Sequence, residues 1–159
     1  MKIDKIDFLH NGKNISLSLI EEKDLGYLRQ WKNYNKEFFF HSKEISEKEQ
    51  LAWYASYMLR DSDFMFVVKN HESYIGCMGI RLIEENWDAY NIILGNSKFA
   101  KTGIMSASFQ KMMIYAKQKK STKITLNVLK KNPAVSWYIK QGLKIIMEIE
   151  NYYKMEYIQ

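Results

Sequence analysis

Two stretches of the chain combine residue types and spacings that suit chemistry. The first is a basic loop, Lys98-Phe99-Ala100-Lys101-Thr102-Gly103, between an apolar strand pattern ending at Gly95 and the strongest helical pattern in the sequence. The first turn of a helix presents free N–H groups and a positive dipole end, so a loop there can hold phosphate. Gly103 permits close backbone approach, and Lys98 and Lys101 add charge. Neither GxxxxGK[ST] nor GxGxxG is present. The second stretch is Asn132-Pro133-Ala134-Val135-Ser136-Trp137-Tyr138-Ile139-Lys140-Gln141-Gly142-Leu143. It reads as a short helix with an Asn N-cap, Pro at the first helical position and Gly142 just past its end. His10, His41 and His71 lack metal-ligand spacing, and His10 and His71 read as surface loop residues. Cys77 sits inside an apolar strand pattern and reads as core.

The net charge of +6 is unevenly placed. Residues 98–144 carry eleven lysines and no acidic residue, while residues 1–97 sum to −3 and residues 145–159 to −2. A block of this kind points to a polyanion, either nucleic acid or a multiply phosphorylated ligand, or to a solvated lysine face. The 159 residues, 47% hydrophobic and 26% charged, suit one globular domain over 1–159. A single cysteine excludes a disulfide framework and suits a reducing compartment. No apolar h-region opens the chain and no run approaches the ~20 residues of a membrane helix, so a soluble cytoplasmic protein without a membrane partner is expected.

The elements that must position these residues follow from periodicity. Asn14–Ile20 alternates as a half-buried strand, and Glu21–Tyr34 is helical, with Asp24, Tyr27, Leu28 and Trp31 on one side. Lys36–His41, with Phe38, Phe39 and Phe40 adjacent, reads as a loop or short bent segment. Ser46-Glu47-Lys48-Glu49 is a capping box. It opens a helix to about Leu59 whose inward stripe is Leu51, Tyr54, Ala55 and Met58. Phe64–Lys69, Tyr74–Ile83 and Ala89–Gly95 form a meander, with Glu84–Asp88 as a turn. A helix over Gly103–Lys119 presents Met105, Ser108, Phe109, Met112 and Ala116. A strand over Lys123–Leu129, the short Asn132 helix, and strands Leu143–Ile149 and Tyr152–Ile158 follow. The order β-α-α-β-β-β-α-β-α-β-β predicts an α/β fold with a mixed, mostly antiparallel sheet of about seven strands and helices packed on it.

The Asn132–Leu143 segment resembles the N-P-A-V-x-x-Y-x-x-x-G-F signature of the GNAT family of acyl-CoA-dependent N-acyltransferases. Phe99–Ala107 is similar to that family's pyrophosphate loop, Q/R-x-x-G-x-G/A. Here Ala100 stands for the usual Gln or Arg, Met105 for a small residue, and Leu143 for Phe. Leu19–Asn33, with Glu21, Glu22, Asp24, Leu28, Trp31 and Asn33, resembles the opening of the ribosomal-protein and aminosugar acetyltransferase branches, as does Ile45-Ser46 followed by Trp53. The resemblance implies a GNAT-like sheet splayed in the middle, helices on both faces, and acetyl-CoA as co-substrate without a metal. The pantetheine arm would pair with Ile92, Ile93 and Leu94. The pyrophosphate would meet the N–H groups of Lys101, Thr102, Gly103, Ile104, Met105 and Ser106, with Lys98 beside them. An amine acceptor would attack the thioester directly.

On that reading the departing thiolate needs a proton or hydrogen bond. Tyr138 occupies the family's tyrosine position for this, and a phenol of pKa ~10 can serve; its other reading is a core aromatic. Asn132 is either helix cap or contact to the pantetheine. The base that deprotonates the acceptor is sought among Glu84, Glu85, Asp88 and His41, with Glu84 or Glu85 preferred. Phe38, Phe39, Phe40, His41 and Trp53 would line the acceptor side, where aromatic faces suit sugars or nucleobases. The preferred acceptor is therefore a small-molecule amine, a nucleotide-linked aminosugar of a surface-glycan pathway. A protein N-terminus or ribosomal protein, an antibiotic and a polyamine follow. A non-catalytic CoA- or nucleic-acid-binding module is the competing class, although no helix-turn-helix, RRM or zinc-finger pattern supports nucleic acid. A monomer or homodimer is expected.

Overall fold

The computed structural model describes residues 2 and 4–158. Eight strands form one sheet: β1 (Lys5–His10), β2 (Lys13–Leu19), β3 (Asp63–Asn70), β4 (Ser73–Ile83), β5 (Asn86–Leu94), β6 (Ile124–Leu129), β7 (Leu143–Ile149) and β8 (Tyr152–Tyr157). Their spatial order is β1-β2-β3-β4-β5-β6-β8-β7. Only β5 and β6 run parallel; the other pairs are antiparallel. The helices are α1 (Leu25–Tyr34), α2 (Glu47–Met58), α3 (Ile104–Lys119) and α4 (Val135–Lys140).

The strand beyond the expected seven is β1. It forms a hairpin with β2 around Asn11-Gly12, both at positive φ (49° and 79°). Asn-Gly is the pair that a two-residue hairpin turn favours, because its twist matches that of the strands. The same device closes the β4–β5 hairpin, where Glu84 and Glu85 take φ of 52° and 85°. Strand β5 therefore starts at Asn86 rather than Ala89, and Asp88 belongs to the strand instead of the turn.

The sheet is covered on both faces. On β3, Phe64, Phe66 and Val68 join α3 residues Ile104, Phe109, Met112 and Ala116 in one core. The alternate residues Met65 and Val67 join Leu25 and Leu28 of α1 and Tyr57 of α2 in another. A strand buried on both faces loses its polar alternation, and β3 reads accordingly as an apolar run. The inward face of α2 differs from the expected stripe. Gln50 and Tyr57 are buried, with Trp53 and Tyr54 packed beside them, while Leu51 and Ala55 are exposed. The aromatic stack decides this: Trp53 and Tyr57 lie 5.1 Å apart, and the Tyr57 hydroxyl accepts from Met65 N at 3.0 Å. Among the described residues no helix is long and apolar enough to cross a membrane.

Helix α1 is seated on the end of β5 by Trp31, whose ring lies 2.1 Å from where a Cβ on Gly95 would be. Overpacking of this kind costs roughly 1–3 kcal/mol. Gly95→Ala is expected to lower the unfolding free energy by that amount, and with it the urea midpoint, and to shift the tryptophan fluorescence as Trp31 moves. An unchanged midpoint and spectrum contradict this seating.

Candidate active site

The parallel pair that centres the sheet is short. Trp87 pairs with Ile124 and Asp88 with Thr125, and no pairing continues beyond them. From Ala89 onward β5 diverges from β6 and leaves a cleft. A bulge then turns the strand: Met78 of β4 faces both Asn91 and Ile92 of β5, with Asn91 at φ 49°. Past the bulge, Ile93 pairs with Cys77, and Gly95 N–H donates to Ile75 O at 2.8 Å. By strand alternation the backbone groups of Ile92 and Leu94 face the cleft. Of the three residues expected there, Ile93 turns its backbone toward β4, and its side chain is buried with Cys77.

The loop before α3 has the conformation an anion cradle requires. Lys101 and Gly103 both have positive φ (60° and 80°), and α3 starts at Ile104. Thr102 Oγ1 donates to Phe99 O at 2.6 Å, and the His10 ring lies 2.9 Å from Thr102 O. His10 is thus the end of β1 bracing this loop, not a free surface residue. The N–H of Ala107 is the first used inside the helix, by Gly103 O, so those of Met105 and Ser106 stay available. Met105 packs its sulfur against Gly76, whose missing Cβ makes room at 3.1 Å. Ile92, Leu94, Lys101, Met105, Ala134 and Trp137 help line a cavity of about 430 Å³ here; Lys98 is exposed and does not line it.

Ser106 fixes α4 to this loop. Its hydroxyl accepts from Trp137 Nε1 and Gln141 Nε2, each at 3.0 Å. Tyr138, the next residue, is buried against Phe109 and Trp137 and lines the main cleft of about 530 Å³. Burial, with the Cys77 thiol nearby, pushes its phenol well above the ordinary tyrosine range. Cys77 itself is pushed up to about 12 by burial and donates to Asn91 O at 3.2 Å, as suits a core thiol. Helix α4 begins at Val135 with Ala134 as its N-cap, so Asn132 and Pro133 lie in the turn before the helix rather than at its cap and first position. Asn132 accepts from Ala134 N at 2.9 Å and donates to Phe38 O at 3.3 Å, so it both starts that turn and ties the opposite wall.

That wall is the segment between α1 and α2. Asn33 pins it by exchanging two hydrogen bonds with the backbone of Ile45, at 2.7 and 3.0 Å. Phe38, Phe39, Phe40, His41 and Trp53 all line the main cleft, together with Asp88, Tyr90 and Tyr152. Glu84 and Glu85 do not. They occupy the exposed β4–β5 turn, at the end of β5 away from the divergence, and Glu85 pairs with Lys120 at 2.7 Å. Of the four groups considered as base, the structure brings only Asp88 and His41 to the cleft. Burial raises Asp88, and the Arg81 guanidinium 3.0 Å away opposes it.

Lys32 was not singled out by sequence. Its side chain enters the cleft, donates to Asn91 Oδ1 and lies 3.6 Å over the Phe39 ring. A signal existed: Lys32 follows Leu28 by one helical turn, so a cation occupies the apolar side of α1. Burial lowers it to about 8.

The profile of the family described as "Acetyltransferase (GNAT) family" matches residues 28–143. The chain belongs to this family. It is an acyltransferase of the GNAT class, and the loop before α3, the diverging strands and Tyr138 lie within the matched segment. No curated protein matches by sequence. Solved structures that resemble it include spermidine N-acetyltransferase from Vibrio cholerae in complex with CoA and spermine, at TM-score 0.77 and 20% identity over 91% of this chain and 94% of that one. Another is FdhC, a nucleotide-linked sugar GNAT, at TM-score 0.71 and 22% identity over 95% and 90%. A third is RimL, a ribosomal-protein alpha-N-acetyltransferase in complex with CoA, at TM-score 0.72 and 14% identity over 95% and 96%. These likenesses establish the fold, with its mostly antiparallel open sheet.

Lys32 yields a pH test. Its folded value of about 8 lies below the ~10.4 of an unfolded lysine, so its burial is a penalty in full below about pH 8. The unfolded chain binds the extra proton between those values, and the penalty is relieved as pH rises across them. The stability of the wild type relative to Lys32→Met should therefore rise from pH 8 to 10 in urea titrations. A flat difference overturns the assignment.

Proposed function

We propose that the protein transfers the acetyl group of acetyl-CoA to a primary amine, by direct attack and without a covalent enzyme intermediate. The carrying observation is one continuous arrangement: a helix-start loop with free N–H groups, an unpaired strand edge at Ile92 and Leu94, and Tyr138 beyond it. The loop takes the pyrophosphate, and the strand edge takes the amides of the pantetheine arm, as a missing strand would. Tyr138 stays protonated across the working range and gives a hydrogen bond or proton to the departing thiolate. The ammonium acceptor has two receivers for its proton in the cleft, Asp88 and His41.

The acceptor we propose is a nucleotide-linked aminosugar. The cleft is walled by Phe39, Phe40, Trp53 and Tyr152, flat faces suited to sugar and base rings, and FdhC shows that this fold serves such a substrate in a relative. The cations Lys32 and Arg81 in the same cleft disfavour a polyamine.

Acetyl-CoA is expected to raise the melting temperature, and thiol release is expected with a UDP-aminosugar but not with spermidine or a peptide N-terminus. Tyr138→Phe should cut kcat about 10²–10⁴-fold while leaving CoA affinity unchanged. No thermal shift at saturating acetyl-CoA defeats the enzyme reading. Faster turnover of spermidine or peptide defeats the acceptor.

A further inference from the structure

Beside the main cleft, a second cavity of about 250 Å³ opens between α1, α2 and the sheet, lined by Leu28, Lys32, Ile45, Gln50, Trp53 and Cys77 among others. It shares Lys32, His41, Trp53 and Asn91 with the main cleft, so the two are continuous. Most of its wall is apolar. Two polar groups stand out against that wall, each with donors that the protein's own hydrogen bonds leave free.

The first is Lys32. An ammonium carries three donors; Asn91 Oδ1 takes one and the Phe39 face meets the charge from another side. No carboxylate forms an ion pair with it among the described residues. Glu49 lines the cavity but accepts from Ser46 N at 3.1 Å in the cap of α2, and Asp88 is engaged by Arg81. A cation held out of water without a counter-ion is costly. The second is Gln50, only 8% exposed. Its side-chain amide makes no hydrogen bond to protein among the described residues, yet it reaches the cavity. A cation and an amide donor, both short of partners, converge on one small pocket.

We propose that this pocket is an acceptor subsite for an oxyanion group, a phosphate or a carboxylate carried by the acceptor molecule, with Lys32 as its counter-ion and Gln50 as a second donor. The proposal rests on the acetyl-transfer reading for the adjoining cleft. The pocket admits one anionic group and a few attached atoms, while the rest of the acceptor lies among the aromatic side chains of the main cleft. Lys32 then does two things at once: it holds Asn91 at the β5 bulge and ties acceptor position to that bulge.

The test is calorimetric titration of the CoA-saturated protein, so that CoA's own phosphate sites are filled. Two probes separate the sources of the anion: UDP for a diphosphate link and glucuronate for a sugar carboxylate. At least one is expected to bind. Lys32→Met should weaken that binding about tenfold or more, Lys32→Arg should stay within about threefold of wild type, and CoA affinity should be the same in all three. The thermal midpoint of Lys32→Met at pH 7 should be no lower than that of wild type, because the variant removes a half-buried cation that has no carboxylate partner among the described residues; this separates lost binding from lost folding. Equal anion binding by Lys32→Met and wild type overturns the proposal, as does binding of neither probe. If CoA itself does not bind, it is the acetyl-transfer reading that falls. The titration of the unliganded protein, with the same tenfold difference expected, then decides the subsite alone.

Discussion

The candidate site depends on two parallel strands parting after two residue pairs. Backbone N–H and C=O groups inside a protein are nearly always paired. A sheet that opens in its middle therefore breaks a strong rule and leaves an edge that another chain of amides can complete. The cost is met locally. The bulge at Asn91 changes which residues face the gap, and α3 and α4 cover one flank of it. Strand β8 returns to pair with β6 over five residues, Thr125 to Leu129, so β6 is held on its other side while its β5 side stays free.

Holding the opening apart requires struts that are not strands, and asparagine side chains supply several. Asn33 exchanges a pair of bonds with Ile45 as a backbone would, Asn132 reaches Phe38 across the cleft, and Asn91 receives Lys32. An Asn amide both donates and accepts, so it can replace a lost ladder rung at an irregular point. The resemblance at Asn33 and Asn132 thus reflects positions where loop geometry must be fixed by a side chain. For Asn132, the turn bond to Ala134 N and the strut to Phe38 O account for the residue within the protein itself.

What was legible in the sequence was what local physics decides. Alternation located β2 and β6 to within a residue, the reading of β4, β7 and β8 matches their bounds as closely, and the capping box placed the start of α2 at Glu47. Gly142, at φ 103°, ends α4 as expected. Strand β1 is absent from the reading although Lys5, Ile6, Asp7 and Phe8 alternate polar and apolar before Asn11-Gly12. The turn at Glu84-Glu85 was read too long, which placed both glutamates near the chemistry and moved Asp88 out of its strand. Which carboxylate meets the cleft depends on where β5 leaves β6, and that is a long-range fact. The face of α2 failed for a similar reason: its periodicity is weak, and the stack of Trp53 on Tyr57 chose the orientation.

The lysine block changes meaning once its side chains are placed. Lys111 lies over Phe8, Lys117 donates to Thr122 O, Lys119 pairs with Asp4, Lys120 with Glu85 and Lys130 with Glu148. Five of the eleven thus brace the outer surface of the sheet and α3. Exposed pairs of this kind contribute at most about 1 kcal/mol each and make no concentrated field. Of the rest, Lys98 and Lys101 are on the loop before α3. The cation with the greatest electrostatic consequence, Lys32, lies outside the block altogether. A charge count along the chain weights every lysine equally, whereas a folded protein weights each by how much water it has lost. One half-buried ammonium beside the diverging strands therefore weighs more in the electrostatics of the cleft than eleven lysines spread over the outer surface.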